Sequence, residues 1–270
     1  MTRIISINVN GIRASARKGG LDKLAALKPD VVCMQEVRAN REQLDEALAG
    51  SEFAGTKWSI YLADAEAKGR AGVAILSKLP VTSIKASVGS AQFAKSGRWI
   101  QGDIDTKVGP LTIASAYIPT GQVDTPKQIE KYAFLDAMTK RLRALHKAAN
   151  NGGNQALVVG DYNIGRTELD IKNWRGNVKN SGFLPEERAY LTKWVDSGWA
   201  DLGRDFAGEV EGPYTWWSMR GQAFDKDTGW RIDCMYSTPG LASKLKKFEV
   251  DRALSYDTRW SDHAPVIASF

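Results

Sequence analysis

Short apolar runs alternate with longer amphipathic stretches along the chain. Ile4–Val9 reads as an opening strand. A helical stretch follows Gly11, with Leu21, Leu24 and Leu27 at three-residue steps before Pro29 closes it. Val31–Met34 is a short buried strand that runs into Gln35-Glu36, and Arg41–Leu48 is a polar helix. The next region predicts strands over 57–62, 72–77, 81–87, 98–105 and 111–117, punctuated by Gly, Pro and Ser. Lys127–Ala149 is the longest helix, with Ile129, Tyr132, Leu135, Met138, Leu142 and Leu145 forming its apolar face. Asn150–Gly153 ends it.

Ala156–Val159 is another buried strand, followed by a polar loop region over 164–183 with short helical turns. Pro185–Trp194 is a helix with proline in its first turn. Residues 208–229 are rich in Gly and Trp and read as loop. Ile232–Ser237, Lys247–Leu254 and Val266–Phe270 complete the strands. The run of consecutive strands is too long for a doubly wound sheet. An α/β fold with two packed sheets flanked by helices fits better. No repeat or linker divides the chain, so residues 1–270 are expected to form a single domain.

Composition narrows the chemistry. Hydrophobic residues make up 43% and charged residues 25%, an ordinary globular balance. Two Cys and two His exclude a disulfide scaffold and any metal site built mainly from those residues. A bound metal would be held mostly by oxygen, which favours magnesium, calcium or manganese. No segment approaches the ~18 apolar residues of a membrane helix. Asn8 and Asn10 interrupt the N-terminal apolar stretch, unlike a signal peptide, so a cytoplasmic protein with reduced thiols is expected. The net charge is +6, with the basic surplus confined to residues 1–150. Seven of the nine tryptophans lie at or beyond Trp174. Such a charge is compatible with a nucleic-acid partner without identifying one.

The informative residues stand at strand ends. Asn8 and Asn10 are two apart, as are Asp161 and Asn163, so each pair faces one way on extended chain. Glu36, Asp233 and Asp262-His263 also adjoin apolar runs. Any one of these residues alone reads as a cap or turn. Five such places together do not, because buried carboxylates without partners are costly. Carboxylates and amides with one histidine suit a hard cation and a phosphate. Hydrolysis also needs a carboxylate to activate water and a donor for the phosphoryl oxygens. His263 can be that donor if an aspartate orients it, though spacing does not say which aspartate. His146, near the end of the long helix, reads as structural or solvent-facing.

Eight segments together carry a resemblance: Asn8–Arg13, Gln35-Glu36, Ala116–Pro119, Gly160–Asn163, Asp170–Asn173, Gly176–Phe183, Gly229–Asp233 and Ser261–His263. In this order and spacing the chain resembles the exonuclease III family of apurinic/apyrimidinic endonucleases, within the endonuclease–exonuclease–phosphatase superfamily. The likeness runs from Ile4 to about Val266. It implies a four-layered α/β sandwich of two mainly antiparallel sheets. It also implies Mg²⁺-dependent cleavage 5′ to abasic sites (Mn²⁺ able to substitute), with 3′-5′ exonuclease and 3′-end-cleaning work on damaged duplex DNA by a monomer. By the same resemblance Glu36 is the main metal ligand, with Asn10 and Asp262 beside it and Asn8 in support. Asp161 activates water, Asn163 and Tyr117 contact phosphate, and Asp233 pairs with His263. Asn177 and Asn180 fall at the DNA backbone, and Trp216, Trp230 and Ile232 line a pocket for the extruded sugar. Asn10 replaces the Asp of some relatives, Arg166 a frequent His, and Thr120 a frequent amide. Arg70 stands where an aromatic or His is common. Arg70 and Arg166 are expected near DNA, Arg70 at phosphate or in the minor groove. The competing readings are a superfamily phosphoesterase acting on RNA or a phosphorylated small molecule, and a catalytically silent DNA-binding protein.

Overall fold

Strands with apolar residues at consecutive positions must be covered on both faces, and this requirement organises the molecule. The computed structural model describes residues 1–270. In chain order its first half comprises β1 (Arg3–Asn8), α1 (Ile12–Arg17), α2 (Gly20–Ala26), β2 (Val31–Gln35), α3 (Arg41–Leu48), β3 (Ser59–Ala63), β4 (Val73–Ser77), β5 (Val81–Lys85), β6 (Trp99–Thr106) and β7 (Gly109–Tyr117). The second half comprises α4 (Pro126–Asn150), β8 (Gln155–Asp161), α5 (Pro185–Asp196), β9 (Ala200–Asp201), α6 (Leu202–Ala207), β10 (Asp233–Ser237), α7 (Pro239–Ala242), β11 (Lys247–Val250) and β12 (Val266–Ser269).

Two six-stranded sheets result, ordered β11-β12-β1-β2-β4-β3 and β5-β6-β7-β8-β10-β9. Each is antiparallel except at its centre, where β1 pairs parallel with β2 and β7 with β8. Ile4, Val31 and Ile75 of one sheet meet Ile113, Val159 and Met235 of the other in a buried inter-sheet core. The alternate residues Ile5, Val32 and Leu76 face outward onto Leu24, Leu44 and Phe53. Val158 and Tyr236 likewise meet Phe134, Met138 and Trp194. The result is the four-layered α/β sandwich expected from the resemblance. No helix is long and apolar enough to cross a membrane.

Several expectations change. The helical stretch after Gly11 is two short helices, broken at Gly19 with φ +71°. Gly20 leaves no room for a Cβ, which would lie 2.4 Å from Trp260. The strand expected over Lys247–Leu254 stops at Val250, and Leu254 is fully exposed. On α4, Ile129 is 71% exposed, while Gln128 and Lys131 take the inward positions. The first turns of this helix face polar loops rather than a sheet, so polar side chains can be satisfied there. Elements β9, α6 and α7 were not foreseen.

Candidate active site

The polar strand ends converge where the two parallel pairs lie face to face. Register sets Asn8 beside Gln35 and Tyr117 beside Asp161. The chain then turns sharply: Asn10, Glu36 and Asn163 all have positive φ, at 46°, 48° and 50°. Non-glycine residues adopt this conformation only when their surroundings hold them there. Here it lets each strand end present a side chain to the same centre.

Asn8 is the hub. It is fully buried, and its Nδ2 donates to Glu36 Oε1 and to Asp161 Oδ2, each at 2.9 Å. Its Oδ1 accepts from the Asn10 backbone N–H at 2.9 Å. Asn10 Nδ2 donates to Asp262 Oδ1 at 2.8 Å, and Trp216 Nε1 donates to the other Asp262 oxygen at 3.1 Å. The Asn163 backbone N–H donates to Asp161 Oδ1 at 2.9 Å. Asn163 Nδ2 reaches Ile118 O at 3.0 Å and Asp161 Oδ2 at 3.2 Å. His263 Nδ1 lies 2.8 Å from Asp233 Oδ2, which leaves Nε2 facing Asp161 Oδ2 at 3.9 Å. The structure thus answers which aspartate meets the imidazole: Asp233, not the adjacent Asp262.

Electrostatics follow from crowding and burial. Burial pushes the Asp161 carboxyl up to about 7; His263 opposes the rise, whereas Asp233 and Glu36 add to it. Burial alone would depress His263, but the Asp233 carboxylate, with Asp161 and Asp262, outweighs it and raises the imidazole to about 10. Burial would raise Asp262, yet His263 and the hydrogen bonds from Trp216 and Asn10 hold it below the usual carboxylate range. The charged form of His263 is thereby favoured at neutral pH, with Nε2–H available as a donor.

Glu36, Asp161 and His263 offer potential ligand atoms within 4.8 Å of one another. With His263 Nδ1 engaged by Asp233, the carboxylate oxygens of Glu36 and Asp161 are the hard donors of this group. That donor set fits a hard divalent ion. One contact was not anticipated. Arg38 Nε donates to Glu36 Oε2 at 2.9 Å, and Nη2 of the same guanidinium contacts the same oxygen. Only the Glu-x-Arg spacing hints at it in the sequence.

A cavity of about 300 Å³ opens beside this centre, and Trp216, Trp230 and Ile232 form one of its walls. The two indoles meet edge to face, with centroids 6.0 Å apart. Thr120, Ser181 and Gly182 also line it, Gly182 close against Trp230. Tyr117 is buried under the Arg98 guanidinium, and its phenol is raised by burial and by nearby Glu36 and Asp161.

Other candidates lie apart from the cavity. Asn177 and Asn180 share a surface turn, where Asn180 Nδ2 donates to Asn177 Oδ1 at 3.0 Å. Arg70 is exposed in a separate hollow with Arg13 and Lys68. Arg166 turns toward Asp201, 3.6 Å away, and is mostly buried. His146 is half-buried against Trp199 and lies outside the site.

The model of the Endonuclease/Exonuclease/phosphatase family matches residues 5–263. An exodeoxyribonuclease of Bacillus subtilis is 28% identical over 267 residues, covering 98% of this chain and 97% of its own. The DNA repair nuclease APEX1 of Danio rerio is 28% identical over 98% of this chain and 80% of its own. An AP endonuclease structure from Archaeoglobus fulgidus superposes with a TM-score of 0.86 at 26% identity, covering 100% of this chain and 99% of that one. A Neisseria 3′ phosphatase (NExo) bound to product DNA hairpin gives 0.83 at 25% identity, with 100% and 99% covered.

Proposed function

Because the chain belongs to the endonuclease/exonuclease/phosphatase family, we propose that it is a DNA-repair nuclease. It cleaves the phosphodiester 5′ to abasic sites in duplex DNA and also trims or cleans 3′ ends. The observation that carries this reading is the Asn8-centred cluster of Glu36, Asp161 and Asn163 opening onto a tryptophan-walled cavity. The relatives named as an exodeoxyribonuclease and a DNA repair nuclease, each matched over nearly the whole of this chain, support the substrate class.

The residues divide the work. Asp161, held by Asn8 and Asn163, orients water and takes its proton. His263, fixed and charged by Asp233, donates Nε2–H to a phosphoryl oxygen as negative charge grows there. Asn163 and Tyr117 complete the phosphate cradle. Glu36, with Asn10 beside it and an Asp161 oxygen within reach, would hold the divalent cation, Mg²⁺ or in its place Mn²⁺, which when bound would supply Lewis-acid charge to the phosphate. Asp262 acts through Asn10 and Trp216, which it holds by hydrogen bonds. A sugar without a base is small and apolar enough to enter between Trp216, Trp230 and Ile232. Asn177, Asn180 and Arg70 contribute contacts to the DNA backbone, whereas Arg166, expected there from the sequence, is turned inward to Asp201. Both cysteines are buried free thiols, which fits a cytoplasmic enzyme, and we take it to act as a monomer.

Chelator-treated protein is expected to lose cleavage of abasic duplex and to regain it with Mg²⁺. Intact duplex, RNA and inositol phosphates serve as competing substrates in the same assay. Cleavage that survives complete metal removal, or turnover confined to RNA or inositol phosphates, overturns the reading.

A further inference from the structure

The lysine on the inward face of α4 has no role in the chemistry above. Lys131 and Glu187 are both completely buried, with Nζ 2.8 Å from Glu187 Oε1. A buried charge pair is costly unless its remaining hydrogen-bonding capacity is also used. Here that capacity is directed at the active-site loops. Lys131 Nζ donates to Thr120 O at 3.0 Å and to Asn163 O at 2.9 Å, and it reaches Ser181 Oγ at 3.5 Å. Glu187 accepts from Ser181 Oγ at 2.9 Å and from the Gly182 N–H at 2.6 Å. Thr120, Asn163 and Ser181-Gly182 belong to three separate loops, and all four residues line the catalytic cavity. The space is already full: a Cβ on Gly121 would lie 2.5 Å from Ser181 Oγ and 2.9 Å from Lys131 Cδ.

We propose that Lys131, charge-paired with Glu187, is a positioning residue that pins these three loops around the cavity and so sets where Asn163 holds the phosphate. The reason is geometric. Asn163 has positive φ, and its backbone N–H and side chain are already committed to Asp161 and Ile118. The Lys131 ammonium holds its carbonyl, which fixes the peptide plane that follows. Releasing that carbonyl frees the residue to rotate away from Asp161. The inference rests on the nuclease reading only for its kinetic test.

Lys131→Met keeps the aliphatic stem and removes the charge. Lys131→Met/Glu187→Gln removes both charges and avoids stranding a buried carboxylate. The double variant is expected to fold with a lowered urea-denaturation midpoint, because Met releases the Thr120 and Asn163 carbonyls and Gln cannot accept every donor that Glu187 does. Its kcat on abasic duplex should fall roughly ten- to a hundredfold, with KM little changed, as expected when a reacting group is misplaced rather than binding lost. The Asn163 side-chain amide resonance should shift or broaden in the metal-free protein, a readout independent of turnover. Ser181→Ala, which removes only the hydroxyl that bridges Thr120 O and Glu187, should lower kcat by a smaller factor. Wild-type kcat together with an unmoved Asn163 amide in the double variant, or in Lys131→Met if the double variant does not fold, overturns the proposal. Wild-type protein that cleaves no DNA instead overturns the nuclease reading and leaves the amide resonance to decide this one.

Discussion

Asp161 shows how narrowly one residue can be committed. Its two oxygens accept from Asn8 Nδ2, the Asn163 N–H and Asn163 Nδ2, so the carboxylate is oriented before any substrate arrives. Asp161→Asn keeps the shape but removes the carboxylate proposed to accept the water proton. Cleavage is expected to drop by about 10²–10⁴-fold, the usual worth of a positioned base. Abasic-duplex affinity, measured by fluorescence anisotropy in chelator, should hold or rise, because a negative charge beside the phosphate is lost. Near-normal turnover would remove Asp161 from its assigned role. The gathering of this residue with Asn8, Glu36, Asn163, Asp233 and His263 was legible from sequence because each stands where an apolar run stops. The pairing of His263 with Asp233 was not legible from spacing: thirty positions separate them, and nothing local distinguishes Asp233 from Asp262. The Arg38 contact was hard to read for a related reason, since a Glu-x-Arg spacing is common and does not by itself mark an ion pair.

Among the elements, the parallel pairing of β7 with β8 does the most to place the site. It matches Ala116 with Gly160 and Tyr117 with Asp161. The two strands approach so closely that a Cβ at Gly160, where φ is +148°, would sit 1.9 Å from the Ala116 carbonyl oxygen. Backbone cannot yield as a flexible side chain would, so Gly160→Ala should destabilise the protein by roughly 3 kcal/mol, from strain and overpacking together. A urea midpoint that falls at unchanged slope would check this, and a loss below about 1 kcal/mol would contradict it. Long elements were readable because their period repeats: α3 spans Arg41–Leu48 as expected, and α4 gains only one residue at each end. Elements β9, α6 and α7 hold two, six and four residues, too few to display a period. Where periodicity misled, at Ile129, the helix had a different neighbour from the one its apolar pattern assumes.

Across the whole molecule, the cavity wall is braced by charges that sequence reading could not bring together. Arg231 precedes Ile232 of that wall. Its Nη1 and Nη2 donate to the two oxygens of Asp201 at 2.9 and 2.8 Å, and its Nε donates to Asp170 Oδ1 at 2.7 Å. Arg204 Nη2 adds a second donor to that Asp170 oxygen at 2.6 Å. The four residues come from a helical turn, the two-residue edge strand β9, the short helix α6 and the segment just before β10, so only the assembled fold makes them neighbours. Burial alone would raise the Asp170 carboxyl, but Arg231, then Arg204 and the Thr167 N–H, hold it far below the usual range. The sign for stability follows. A carboxyl whose pKa is depressed on folding contributes fully above its unfolded value of about 3.9, and that contribution is lost as pH falls toward the folded value. Asp170→Asn leaves two buried guanidiniums short of a counter-charge and should cost about 3–5 kcal/mol at pH 7. Wild-type stability should therefore fall more steeply than that of the variant as pH drops below about 4, so that their denaturation midpoints converge in acid. A gap between the two proteins that stays constant from neutral pH into acid would show that the ion network, though buried, does not carry the charge-dependent stability assigned to it.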